Sequence, residues 1–358
     1  MISGRLTAGA GEYDKYIRKK WTVLLALAFV LLGVCISSIS VGSSGLPLSE
    51  ILRTLFGGGA ASSKTIIWNV RMPRIATGVG VGMALAMAGC VMQNVLRNPL
   101  ASASTLGVSQ GASFGAAVAI AYFGAGVQIN SGAAAAITVT NLYMVTICAF
   151  LGGIATTALI LFLSRVSGVT PSTMILAGVA ISAMFTGATT LVQYFCDDVK
   201  IASIVYWTFG SLSRAGWREI ALIFSLSAAA FLYFILNRWN YNAMESGTHT
   251  AMSLGVDVDA LILASMSVCT LISAVAVAFA GTINFIGLIA PHIVRKFVGN
   301  DYRFLIPCSA ATGAALVLAA DAASRTLISP TILPIGALTS FLGAPLFLYM
   351  IIKQGIIK

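Results

Sequence analysis

Long apolar runs, each closed by a charge, a proline or a glycine cluster, recur along almost the whole of this chain. Their length excludes the two-residue alternation of a half-buried strand. A helix crossing a bilayer core of about 30 Å needs about 20 such residues. The pattern predicts about ten transmembrane helices, at 21–39, 75–93, 105–123, 142–163, 173–195, 220–236, 260–280, 283–297, 305–320 and 335–352. The third is diluted by Gly and Ser, and the eighth is short and ends near Pro291.

The expected fold is therefore all-α, a polytopic integral membrane protein. A basic N-terminal segment at 1–20 would precede a transmembrane domain at 21–352 and a tail at 353–358. Arg18-Lys19-Lys20 stand directly before the run that opens at Trp21, which favours a retained first helix over a cleaved signal peptide. With the N-terminus inside, inner segments carry thirteen of the 21 Lys and Arg and outer segments eight. That bias favours both termini in the cytoplasm. Arg71, Arg74 and Arg325 fall outside against it.

Two connecting stretches are too long to be turns and could meet partners: an outer one from Val41 to Arg74 and an inner one from Asn237 to Asp259. A third, from Asp197 to Glu219, contains Ile204-Val205-Tyr206-Trp207 and predicts a short helix at the membrane interface, where Tyr and Trp are favoured.

Composition agrees with the pattern. The chain is 58% hydrophobic and 9% charged, whereas a soluble domain is about 25% charged. Its net charge of +10 comes from Lys and Arg scattered singly, not from the stripe that nucleic acid requires. Six cysteines, Cys35, Cys90, Cys148, Cys196, Cys269 and Cys308, form no CxxC pair and read as packing residues.

Small residues at every fourth position of the second run, Gly78, Gly82, Ala86 and Cys90, predict close approach of a neighbouring helix. No GxxxxGK[ST] loop is present to cradle a nucleotide, HExxH does not occur, and no GxSxG stretch comes with a plausible triad. The expectation is no catalytic residue, no metal site and no cofactor held by this chain. His249 and His292, the two histidines, fall near inner loops. Ion-coupled transporters and membrane enzymes keep ionisable groups inside their spans, and these spans are almost free of them. Asp321 and Arg325, one helical turn apart, could pair at the outer end of the ninth run.

Four segments taken together resemble a family. They are Arg71-Met72-Pro73-Arg74; Gln93 through Asn98-Pro99-Leu100-Ala101 to Ala112; Gly281 through Phe285-Ile286-Gly287 to His292; and Leu333-Pro334-Ile335-Gly336 with Gly343-Ala344-Pro345. In this order they are similar to the FecCD/BtuC-type permeases of binding-protein-dependent ATP-driven importers for iron-siderophores, haem and vitamin B12. The resemblance covers residues 21–352 and implies ten helices per subunit.

It also implies partners: a second permease subunit, identical or not, two ATPase subunits that hold ATP and Mg, and a periplasmic or lipoprotein binding protein. By resemblance, Arg71, Arg74 and Arg325 would meet carboxylates of that binding protein. The 237–259 stretch would be the coupling segment for the ATPase, with Gly247, Thr248, Ala251, Leu254 and Gly255 in its motif. Asn98, Leu100 and Ser172 would narrow the path at the cytoplasmic mouth. Asn98-Pro99 also serves simply to end a helix.

Overall fold

A computed structural model describes residues 2–40, 46–124, 127–129, 136–138, 141–167, 171–328 and 331–356. Helices dominate them. In chain order these are α1 (Ile2–Ser40), α2 (Leu48–Leu55), α3 (Ala61–Thr65), α4 (Met72–Val95) and α5 (Val108–Tyr122). A short antiparallel ribbon follows, β1 (Val127–Ile129) with β2 (Ala136–Thr138). Then come α6 (Leu142–Ser167), α7 (Pro171–Tyr194), α8 (Asp198–Thr208), α9 (Trp217–Leu236), α10 (Arg238–Glu245) and α11 (Thr248–Ser253). The chain continues through α12 (Val258–Ala280), α13 (Ile286–Val298), α14 (Tyr302–Thr326) and α15 (Ile335–Ile356).

Seven helices among the described residues are long and apolar enough to cross a membrane. They match the first, second, fourth, fifth, sixth, seventh and ninth expected spans. The remaining three expectations coincide with helices as well: α5, of 15 residues, α13, of 13, and α15, whose described apolar part is Ile335–Tyr349. Irregular backbone shortens two of them. The left-handed Gly107 precedes α5, and the left-handed Phe285 precedes α13.

Two ends differ from expectation. Residues 2–20 are helical and continuous with the first span, because neither proline nor glycine occurs between Gly11 and Gly33 to break the junction. The second span begins at Ala61, well before position 75, since Arg71-Met72-Pro73-Arg74 does not break the helix. Pro73 lies in the first turn of α4, and a π-turn at Ile66–Arg71 leads into it. A proline ring collides with the carbonyl four residues back in a regular helix, and the wider π winding relieves that collision.

The packing is that of a protein whose solvent is lipid. Large apolar side chains face outward, among them Phe29 on α1, Leu176 on α7 and Phe341 on α15, each more than two-thirds exposed. The centre is built from small residues. Helix α4 is enclosed by α9, α12, α13 and α14. Gly82 lies against Gly313 and Ala314 of α14, and Gly89 against Gly287 of α13, so close that a Cβ would strike backbone. The small-residue stripe of α4 therefore does what its spacing predicts. Dispersion between closely apposed backbones replaces the hydrophobic effect that water would supply.

A second group, α5, α6 and α7, joins through α12, where Thr270 donates to Thr157 at 2.8 Å. Helix α8 is more than an interfacial rod. Its Trp207 is 1% exposed and its Ile204 is buried, so these two pack inward while Val205 and Tyr206 face outward.

Candidate docking and gating sites at the two ends of the bundle

At one end, α4 begins and α14 finishes, and the three expected docking arginines converge there. Asp321 on α14 is fully buried, and its carboxylate takes two of them. Arg74 Nε donates to Oδ1 at 2.8 Å, and Arg325 Nε lies 3.0 Å from Oδ2. The sequence suggested the Asp321–Arg325 pair, but not the second partner from 247 residues away. Arg74 also donates to Ser213 Oγ at 3.0 Å, and Arg325 to Ser38 Oγ at 2.9 Å. Arg71 reaches the Ile39 carbonyl at the end of α1.

Two arginine side chains about one-tenth exposed share one carboxylate, so this end carries net positive charge. An Arg fork pairs with a carboxylate through directed hydrogen bonds, which supply orientation as well as energy. Nearby, Arg214 donates to the Tyr206 and Trp207 carbonyls at 2.9 and 3.1 Å and caps α8. Burial lowers its basicity to about 10.

At the other end, the expected coupling stretch forms two short helices, α10 and α11. Gly247 at φ +118° and Gly255 at φ +83° bracket α11, conformations that an L side chain rarely adopts. Ala251 is fully buried, whereas Leu254 is 69% and Met252 49% exposed. The motif thus divides into a packing residue, Ala251, and an apolar tip. Asp257 then caps α12 by accepting from the Ala260 amide at 3.0 Å.

The expected gate segment lies beside this tip. Helix α4 ends at Val95, with Arg97 in the left-handed region and the Asn98 amide bonded back to the Gln93 carbonyl at 3.1 Å. Asn98 Oδ1 accepts from the Leu100 amide at 2.8 Å, and Leu100 is exposed. So Asn98-Pro99 does end a helix and also fixes the turn that presents Leu100. Arg97 donates to Thr248 Oγ1 at 3.4 Å, linking the turn to α11. Asn94 donates to the Tyr241 carbonyl at 3.1 Å, linking α4 to α10. A cleft of about 500 Å³ opens between them, lined by Asn98, Glu245, His292 and Arg295 among others. Ser172 stands in the first turn of α7, and its side chain lies outside the described residues.

An ion cluster at this end was not foreseen. Lys20, expected only as part of the basic flank of the first helix, is 2% exposed and lies 3.1 Å from Asp301 Oδ2, which Arg303 also meets at 2.8 Å. Burial alone would raise the Asp301 carboxyl, but hydrogen bonds from Arg303 and Lys20 outweigh it and hold the group down at about 2. Trp21 packs edge-on against Phe304 beside this cluster, with ring centroids 5.6 Å apart, so α1 is fastened to α14 near its polar end. Among the described residues no group of His, Cys, Asp and Glu could hold a metal ion.

These features have counterparts elsewhere. The chain is 48% identical, over 96% of its length and 97% of the relative's, to an ABC transporter permease protein of Methanocaldococcus jannaschii. It is 34% identical to the hemin transport system permease protein of Yersinia pestis, over 92% of this chain and 96% of that one. Among solved structures it resembles an inward-facing conformation of a metal-chelate type ABC transporter, with a TM-score of 0.79 and 30% identity over 93% of this chain and 99% of that one. The model of the FecCD transport family matches residues 29–353, and the chain belongs to that family.

Proposed function

We propose that this chain is the membrane-spanning permease subunit of an ATP-driven importer for an iron-siderophore or a related metal chelate, haem and corrinoids being the alternatives. One observation carries the mechanism. The apolar tip at Met252 and Leu254 is tied through Thr248 and Arg97 to the turn that presents Leu100. A partner seated on that tip pushes directly on the segment assigned to the cytoplasmic mouth. The structural neighbour, a metal-chelate transporter caught facing inward, supports the same reading.

In this proposal ten helices cross the inner membrane with both termini in the cytoplasm. Two permeases, identical or not, enclose the path. Two ATPase subunits bind ATP and Mg and seat on the 237–259 hairpin. A binding protein docks on Arg71, Arg74 and Arg325 at the outer end. The permease binds partners, excludes ions and switches between packed states as the ATPases close and open.

Co-purification with a candidate ATPase tests the seating. The wild-type chain forms the complex, and Leu254→Asp loses it while keeping its own melting temperature. A Leu254→Asp chain that assembles normally would remove the hairpin from its assigned role.

A further inference from the structure

A cavity of about 270 Å³ lies between α5, α7, the end of α8 and the chain that links α12 to α13. Its lining contains hydroxyl and amide side chains and no charged residue. In a chain that is 58% hydrophobic, such a convergence from four elements is a built feature. Helix α5 contributes Ser109, Gln110 and Ser113, and α7 contributes Thr186, Thr189, Thr190 and Gln193 at helical spacing. Thr282 and Asn284 come from the non-helical link at 281–285. Broken backbone inside a membrane protein is tolerated where protein buries it or where it lines a cavity, and transporters bind substrates at such breaks.

Six of the seven lining hydroxyls have committed their protons, Ser109 being the seventh. Thr186, Thr189 and Thr190 donate to carbonyls one turn back on α7, at 2.8, 2.8 and 3.1 Å. Ser113 donates to the Ser109 carbonyl at 2.9 Å, and Thr208 to that of Val205 at 2.7 Å. Thr282 donates to the Thr208 carbonyl. What these oxygens retain for the cavity is lone pairs. Two further acceptors sit within the wall: Gln110 Oε1 and Asn284 Oδ1 are shielded from solvent and accept no hydrogen bond among the described residues, so each gains a partner by turning toward a donor in the cavity. The Asn284 amide nitrogen is spent on Ser340 Oγ at 3.3 Å.

We propose that this cavity is a subsite for N–H, O–H or ammonium groups on the periphery of the transported chelate. Resting on the importer reading above, it favours neutral or cationic donor-bearing chelates over polycarboxylate ones. Its volume suits a projecting arm of the cargo rather than a whole macrocycle. Lone pairs on six committed hydroxyls and two amide oxygens outnumber the amide N–H groups of Gln110 and Gln193, so the cavity favours a donor over a carboxylate and selects as well as binds.

Two measurements test this. The first needs no cargo. In the full chain with its six native cysteines replaced by alanine, Thr190→Cys is labelled with ethylammonium and ethylsulfonate methanethiosulfonates, each rate corrected for its reactivity toward a free thiol. The cationic reagent is expected to react at least tenfold faster, and Gln110→Met with Asn284→Leu flattens the ratio. Equal or reversed rates overturn the subsite.

The second is ATP-driven uptake by the reconstituted importer of a ferric trihydroxamate carrying amide N–H groups and an ammonium. Thr190→Val with Asn284→Leu lowers uptake at least fivefold and leaves ATPase assembly unchanged, whereas Thr190→Ser transports normally. Uptake by the double variant at the wild-type rate overturns the subsite alone. A wild-type complex that carries neither this chelate, haem nor a corrinoid overturns the importer reading and this cargo with it, whatever the labelling ratio.

Discussion

Asp321 Oδ1 accepts a 2.8 Å hydrogen bond from Arg74, while the other oxygen of the same carboxylate faces Arg325 at 3.0 Å. One buried anion therefore aims two cations that belong to opposite ends of the sequence. Removing it leaves two nearly buried guanidinium groups uncompensated, which costs about 3–5 kcal/mol. Asp321→Asn is expected to lower the melting temperature of the purified protein, a change thermal denaturation in detergent reads directly.

Arg74 and Arg325 serve the fold as well as docking, because they neutralise buried Asp321, so variants at these positions are titrated only as protein shown to be folded. Charge reversal at Arg71, Arg74 and Arg325 weakens binding-protein affinity, and most at low salt, where the screening length is longest. A titration of binding protein against the reconstituted permease at two ionic strengths checks this. Unchanged affinity in the triple variant would detach these residues from docking.

Close packing on α4 gives a sharper structural test. Gly89→Ala places a methyl against the Gly287 backbone, and overpacking of this kind costs about 1–3 kcal/mol. Gly187→Ala on α7 meets nothing within 4 Å and is expected to be neutral or mildly stabilising. Comparing the two melting curves separates backbone contact from general helix propensity.

The Asp301 cluster sets an acid limit. Its carboxyl is held at about 2, below the ordinary range near 4. Stability from the ionised form is therefore fully present above pH of about 4 and is lost as pH falls toward 2. Asp301→Asn should remove about 2 kcal/mol at neutral pH and flatten that part of the acid profile. Melting temperature against pH for both proteins gives the comparison.

Much of the fold was legible because lipid imposes a simple rule: one apolar run for one crossing. Seven runs obey it. Three fall short because Gly107 and Phe285 turn the chain before α5 and α13, and the described apolar part of α15 is short. Pro73 misled in the other direction, since the π-turn at 66–71 lets the helix pass through it.

At the candidate sites, the arginines and the 247–255 motif could be found from local sequence. Asp321 as a common acceptor could not, because the bond to Arg74 exists only once α4 packs on α14. Lys20 misled for the same reason: its partner Asp301 is 281 residues away, and only tertiary contact turns a flanking charge into a buried one. The hydroxyl-lined cavity was hidden as single Ser, Thr, Gln and Asn residues inside apolar runs, each unremarkable alone.

The most direct test is cargo flux. Proteoliposomes containing this chain, its ATPase and a loaded binding protein should accumulate chelate when ATP is supplied to the ATPase side, and should accumulate none when the ATPase is omitted. Uptake by this chain alone, following a proton or sodium gradient without ATP, would contradict the account.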